Sequence, residues 1–144
     1  MKPHDQDARL IRLVYASTCA PTLAATDVQA ILSDARRYNQ IHAITGMLCW
    51  SGEFFLQCLE GPRRPVTALF SHIGRDPRHQ DIELIVAAPT AVRWFVGWAM
   101  GFTREMVSAQ GDRRSPAPRF SPYELEAEDL LSVFERLSGS AQRL

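Results

Sequence analysis

Lysine is almost missing from this chain: Lys2 is the only one, and arginine supplies the rest of the 16 basic residues. These are balanced by 16 aspartates and glutamates, so the formal net charge is zero. Surfaces built for nucleic acid or an anionic bilayer need a clustered excess of positive charge, and this balance argues against both partners. The 3 cysteines, Cys19, Cys49 and Cys58, are odd in number and lack C-x-x-C spacing. Neither a disulfide framework nor a zinc site is indicated, and the thiols read as reduced and intracellular. No apolar run is long enough to span a membrane, and the start, MKPHDQDAR, has no apolar stretch for a signal peptide. The expectation is a soluble, cytoplasmic protein without membrane contacts. G-x-G-x-x-G, Walker, H-E-x-x-H and G-x-S-x-G motifs are absent, which removes support for dinucleotide-fold, phosphate-loop, zinc-hydrolase and serine-hydrolase chemistry. Of the 4 histidines, His4, His42 and His72 read as surface residues, and His79 lies in a charged loop.

What is present fits one domain, since 144 residues can bury a real core. Residues 1–9 read as a disordered start. Leu10 to Ser17 is β-rich, with Ile11, Leu13 and Tyr15 on one face. Thr26-Asp27-Val28-Gln29 is a helix-start signature, and Val28, Ile31, Leu32 and Ala35 follow at helical spacing to about Asn39. Asn39 comes about three turns after Val28, so it points with the apolar stripe. Ala43 to Trp50 and Glu53 to Leu59 flank Ser51-Gly52, which reads as a two-residue hairpin turn. That register sets Gln57 opposite Gly46, Cys49 opposite Phe54 and Cys58 opposite Thr45, with the two cysteines as packing residues. Pro65 opens a second helix with Val66, Leu69, Phe70 and Ile73 inward, ended by Gly74 and Pro77. Asp81 to Ala87 and Val92 to Phe102 read as further strands, the last with Trp98 and Met100 on one face. The order βαββαββ predicts an α+β, ferredoxin-like sandwich: a mixed five-stranded sheet with two helices on one face. Val14, Met47, Leu56 and Phe95 make the other face apolar as well. A Pro, Arg and Ser-rich linker near residues 111–119 precedes a helix start at Ser121-Pro122-Tyr123-Glu124. The stripe Ala127, Leu130, Leu131, Phe134 and Leu137 then predicts a helical cap for that face.

The stretch EFFLQCLEGP holds an amide, Gln57, inside an apolar strand, where an unpaired amide would cost several kilocalories. Tyr15 and Asn39 point to the same helix-covered side. Singly, each has a plain explanation: a strand-end aromatic, a helix C-cap and an amide bonded to backbone. Together, beside Gly46 with its missing side chain, they suggest a hydrogen-bonding pocket for a planar heteroaromatic ligand.

The blocks LVYAS, NQIHAITGMLCW, FLQCLEGP, RDPRH and RWFVGWAMGF, in this order and spacing over about residues 10–102, resemble the BLUF family of flavin-using blue-light sensors. The resemblance implies non-covalent FAD, with FMN or riboflavin as alternatives, held between the two helices and over the sheet. It implies that Tyr15 is the photochemical electron donor and Gln57 the switchable amide between that phenol and the flavin. Asn39 would bond the carbonyl and ring-nitrogen edge, while Asp76, Arg78 and His79 would contact the ring and ribityl region. Trp98 and Met100 match a relay pair near Gln57, from which the signal is expected to pass through the sheet to the C-terminal helix. Tyr38 departs from the Asn or His common at its position, which bears on a second polar contact at the ring's edge. In the family, tyrosine gives up an electron and then a proton, the pair recombines, and the rearranged glutamine leaves the absorption shifted to the red.

The implied organisation is a photosensory domain at residues 10–102, with linker and cap at 103–144. The chain has no room for a cyclase or phosphodiesterase domain, so a photosensor acting on a separate partner protein is expected rather than a turnover enzyme. Homo-oligomerisation stays open. Two other classes fit the sequence less well. An acylphosphatase-type phosphoryl hydrolase would want a Gly-rich, Arg-bearing loop where Thr18-Cys19-Ala20-Pro21-Thr22 stands. An RNA-binding sheet stacking bases on Phe54 and Phe55 lacks the RNP1 pattern and the basic surface.

Overall fold

The computed structural model describes residues 9–104 and 121–143. Of the start read as disordered, residues 1–9, all but Arg9 lie outside the described residues, as does the linker read at 111–119. The elements are β1 (Leu10–Cys19), α1 (Ala25–His42), β2 (Thr45–Trp50), β3 (Phe54–Pro62), α2 (Arg63–Ile73), β4 (His79–Pro89), β5 (Gly101–Thr103), α3 (Leu130–Ser138) and β6 (Gln142–Arg143). The strands form one sheet in the order β4-β1-β3-β2-β5-β6. All neighbours are antiparallel except β2 and β5, which run parallel, so the expected mixed α+β sheet of five strands is present and the tail adds a two-residue sixth.

Period-two alternation gives the sheet two apolar faces. Leu13, Tyr15, Leu48, Phe55 and Leu59 join Val28 and Leu32 of α1 and Val66 and Ile73 of α2 in one core. Val14, Met47, Cys49, Leu56 and Cys58 face the other way, beneath Leu130, Val133, Phe134 and Leu137 of α3. The C-terminal helix is therefore the cap the second face called for. Its start differs from expectation: Ser121 caps a 3-10 turn at Pro122–Glu124, a second 3-10 turn follows at Ala127–Asp129, the helix begins at Leu130, and Leu131 points outward.

The hairpin is not joined by a two-residue turn. Ser51 N–H donates to the Phe54 carbonyl (3.1 Å), and the Ser51 hydroxyl accepts from the amides of Glu53 and Phe54 at 3.2 and 2.9 Å, making a longer loop. Gln57 consequently pairs with Leu48, Gly46 with Leu59, Cys49 with Leu56 and Cys58 with Met47. The slip is two residues, and an even slip leaves every side chain on its expected face. Gly46 does not open a volume beside Gln57. A Cβ there would stand 2.0 Å from the Cys58 carbonyl oxygen, so the glycine permits a close backbone approach.

The expected strand over Val92 to Phe102 is the main correction. Residues 90–100 are irregular, and only Gly101–Thr103 pairs with β2. Trp98 and Met100 therefore do not share a face. Met100 is buried in the core beneath the two long helices, whereas Trp98 packs with the α3-covered cluster, 5.9 Å from the Phe95 ring. Trp98 also lies so close over Gly101 that a Cβ there would meet its ring at 2.3 Å.

Candidate functional site

Between α1 and α2 lies a cavity of about 530 Å³. Ile31, Asp34, Ala35 and Tyr38 of α1 form one wall, and Ala68, Leu69, His72 and Ile73 of α2 the opposite one. Gln57 of β3 lies at its base, and Arg75, Asp76 and Arg78 of the loop before β4, with His79 at the start of β4, close one side. Mostly apolar walls with a few converging polar groups are what an aromatic ligand of flavin size requires.

Tyr15 and Gln57 are paired across β1 and β3. The Tyr15 hydroxyl donates to Gln57 Oε1. Gln57 then donates through Nε2 to Met100 Sδ at 3.6 Å. Tyr15 is wholly buried against Phe70 and edge-on to His79, with ring centroids 5.5 and 6.1 Å away. Burial, and after it the charge of Asp76, holds the phenol well above its ordinary pKa of 10.0. Tyr15 is thus a protonated donor throughout the physiological range.

His79 is 8% exposed, packs against Phe55 with the rings tilted and their centroids 4.7 Å apart, and has Nδ1 2.9 Å from the Ser17 hydroxyl. Burial lowers its pKa to about 4; Asp76 raises it and Arg78 lowers it further. The imidazole is neutral at neutral pH and offers hydrogen bonds rather than charge. Beside it, Arg78 grips Asp76 through Nε (3.0 Å to each oxygen) and Nη2 (2.7 Å), and the Arg78 amide donates to Asp76 Oδ1 at 2.9 Å. Burial pushes the Asp76 carboxyl up, but the hydrogen bonds and charge of Arg78 together outweigh it and leave the group below its ordinary 3.8.

Asn39 is fully buried, as its helical phase predicted. Its Nδ2 donates to the Ala99 carbonyl at 2.6 Å, while Oδ1 has no partner among the described residues. A buried acceptor left open costs free energy unless a ligand or water meets it, so this atom suits a bound donor. Asn39 does not itself line the cavity; Tyr38 does, with its ring 4.1 Å from His42, which is half-buried rather than exposed. Of the eight residues singled out from the sequence, Gln57, Asp76, Arg78 and His79 line the cavity. Tyr15 and Met100 reach it through Gln57, and Trp98 stands across the sheet.

Sequence reasoning passed over Glu60 and Arg93. Glu60 is wholly buried and accepts from the amides of Trp94 and Phe95 at 2.6 and 2.9 Å. Alternation from Leu56 and Cys58 put a carboxylate on the second apolar face, and that was the available signal.

Three comparisons bear on this site. The family model described as "Sensors of blue-light using FAD" matches residues 10–101. Photoactivated adenylate cyclase subunit beta of Euglena gracilis is 35% identical over 104 residues, covering 71% of this chain and 12% of that protein. The chain thus spans about an eighth of the length of that relative. Among solved structures, "BlrB - a BLUF protein, dark state structure" is 30% identical with a TM-score of 0.72, covering 92% of this chain and 96% of that one. "BlsA photo-activated state" is 26% identical with a TM-score of 0.79, covering 94% and 99%. With its cavity, its buried tyrosine-glutamine pair and these likenesses, this chain belongs to the BLUF family of blue-light sensors.

Proposed function

We propose that the chain binds a flavin, FAD in the first instance, in the cavity between α1 and α2, and that its photochemistry runs through Tyr15 and Gln57. The carrying observation is that Gln57, at the cavity's base, bonds Tyr15 with one end of its amide and Met100 with the other. Asn39 would meet the ligand's polar edge with its open Oδ1, and the Asp76-Arg78 pair with His79 would hold the side nearest the loop. When bound, flavin supplies blue-light absorption and an excited state that accepts an electron.

Tyr15 is an oxidisable ring hydrogen-bonded to Gln57, and its burial disfavours a phenolate. An electron leaving its ring makes the hydroxyl strongly acidic, and the proton has an acceptor already in place in Gln57 Oε1. Return of the electron and proton restores Tyr15 and leaves Gln57 rotated or tautomerised. Rotation exchanges a donor for an acceptor with hardly any change in volume. It also turns Oε1 toward Met100 Sδ, and a thioether cannot donate. The rotated amide and Met100 no longer satisfy one another, so Met100 and its segment must adjust. Output then passes to a separate partner protein, with the cytoplasm as the place of action. The acylphosphatase-type reading is not favoured by the family assignment.

Tyr15→Phe should keep flavin bound but abolish the red shift under blue light, and Gln57→Leu should do the same. A wild-type shift in either variant would refute the role given to that residue.

A further inference from the structure

Glu60 lies three residues beyond Gln57 on β3, and its side chain is wholly buried on the opposite face of the sheet. A carboxylate in such a place requires partners. Besides the amides of Trp94 (2.6 Å) and Phe95 (2.9 Å), it accepts from Arg12 Nε of β1 at 3.1 Å and from the Thr45 hydroxyl of β2 at 3.3 Å. Arg12 lies 3.6 Å over the Trp94 ring and donates to the Val92 carbonyl at 2.8 Å. Arg93 closes the arrangement, donating to Thr45 Oγ1 (2.8 Å), the Glu60 carbonyl (2.9 Å) and the Ala43 carbonyl (2.7 Å). The irregular segment from Val92 to Phe95 is thus held by side chains of three adjacent strands and by its own arginine. Beyond it, the Gly46 amide donates to the Trp98 carbonyl at 3.1 Å, and Met100 follows against Gln57.

We infer that Glu60 is a positioning residue for the light response: it fixes the segment that sets Met100 against Gln57, and so governs how long the rearranged amide persists. This rests on the role proposed above for Gln57. An irregular segment lacks a strand's ladder, and a carboxylate accepting two successive amide N–H groups is the strongest kind of tie left to it. When Gln57 rearranges, Met100 must yield, and it must return before the dark arrangement is restored. A firmly tied segment makes that return slow, and a loosened one makes it fast.

Glu60→Gln keeps the shape but replaces one acceptor oxygen with a donor facing other donors. In the flavin-loaded protein, the amides of Trp94 and Phe95 should exchange hydrogen about tenfold faster or more, the loss expected for a charge-assisted hydrogen bond. The dark spectrum and bound flavin should be unchanged, and dark recovery should be several-fold faster. Arg93→Met removes three of the segment's bonds from a half-buried side chain, should show the same pair of changes, and decides the matter if Glu60→Gln fails to fold. Unchanged exchange at residues 94 and 95 would overturn the clamp. Faster exchange with unchanged or slower recovery would overturn its link to the photoproduct. A wild-type protein with flavin bound but no red-shifted state would contradict the role of Gln57 instead, and the exchange measurement would still judge the clamp.

Discussion

Lowering the pH across the range in which free histidine titrates should destabilise this protein through His79. The imidazole is 8% exposed, and burial lowers its pKa from 6.5 to about 4. Between those values the unfolded chain binds a proton that the folded chain refuses, so stability rises with pH. The contribution is fully present above 6.5, is lost as the pH falls toward about 4, and changes no further below that. At about 1.4 kcal/mol per pH unit the whole loss is roughly 3 kcal/mol. Asp76 acts in a separate window, because its carboxyl is held below 3.8 and its contribution is lost only as the pH falls further. Urea unfolding of wild type and His79→Gln, at intervals from about pH 7.5 to about pH 4, isolates the contribution of this imidazole. The wild-type curve should fall away from that of the variant by a few kilocalories across the window. Parallel curves would show that burial does not keep His79 neutral.

Gly46→Ala should cost about 3 kcal/mol or more, because the added carbon meets the Cys58 carbonyl at 2.0 Å in the middle of the sheet; an unchanged urea midpoint would refute the close approach. Phe134→Ala, which empties a fully buried site beside Phe95 (ring centroids 5.7 Å apart), should cost about 3–5 kcal/mol and leave flavin binding intact. If α3 were a dispensable surface helix, the loss would be well under 1 kcal/mol by the same reasoning. Tyr123→Phe removes the hydroxyl that meets Thr18 Oγ1 at 2.7 Å and donates to the Asp81 carbonyl at 2.9 Å. It should cost about 1 kcal/mol, read from thermal unfolding.

The helices were legible because their apolar residues recur at helical spacing, and the same periodicity placed Asn39 in the interior. The two faces of β2 and β3 were legible even though the register was not. Parity survives a slip of two residues, whereas register depended on the Ser51 hydroxyl capturing the amides of Glu53 and Phe54. The run VRWFVGWAMGF reads as a strand because aromatic and β-branched residues favour one. Tertiary bonding prevailed there: the amides that a strand would present to a neighbour are taken by the Glu60 carboxylate, and Arg12 stacks on Trp94. Partners so far apart in sequence leave no local signal. The tyrosine-glutamine pair was legible in part from chemistry, since a lone amide in an apolar strand needs a partner. The light-responsive role proposed for it rests on the resemblance carried by the family's blocks.

Rearrangement of Gln57 by light beside a bound flavin can be followed in the visible absorption spectrum of the purified protein, taken in darkness, after blue light, and through recovery in darkness. Flavin bands that move slightly to the red under illumination and return in the dark are the predicted result. Flavin bands that do not move would rule out that rearrangement, and a colourless protein that takes up no added FAD would rule out the flavin site.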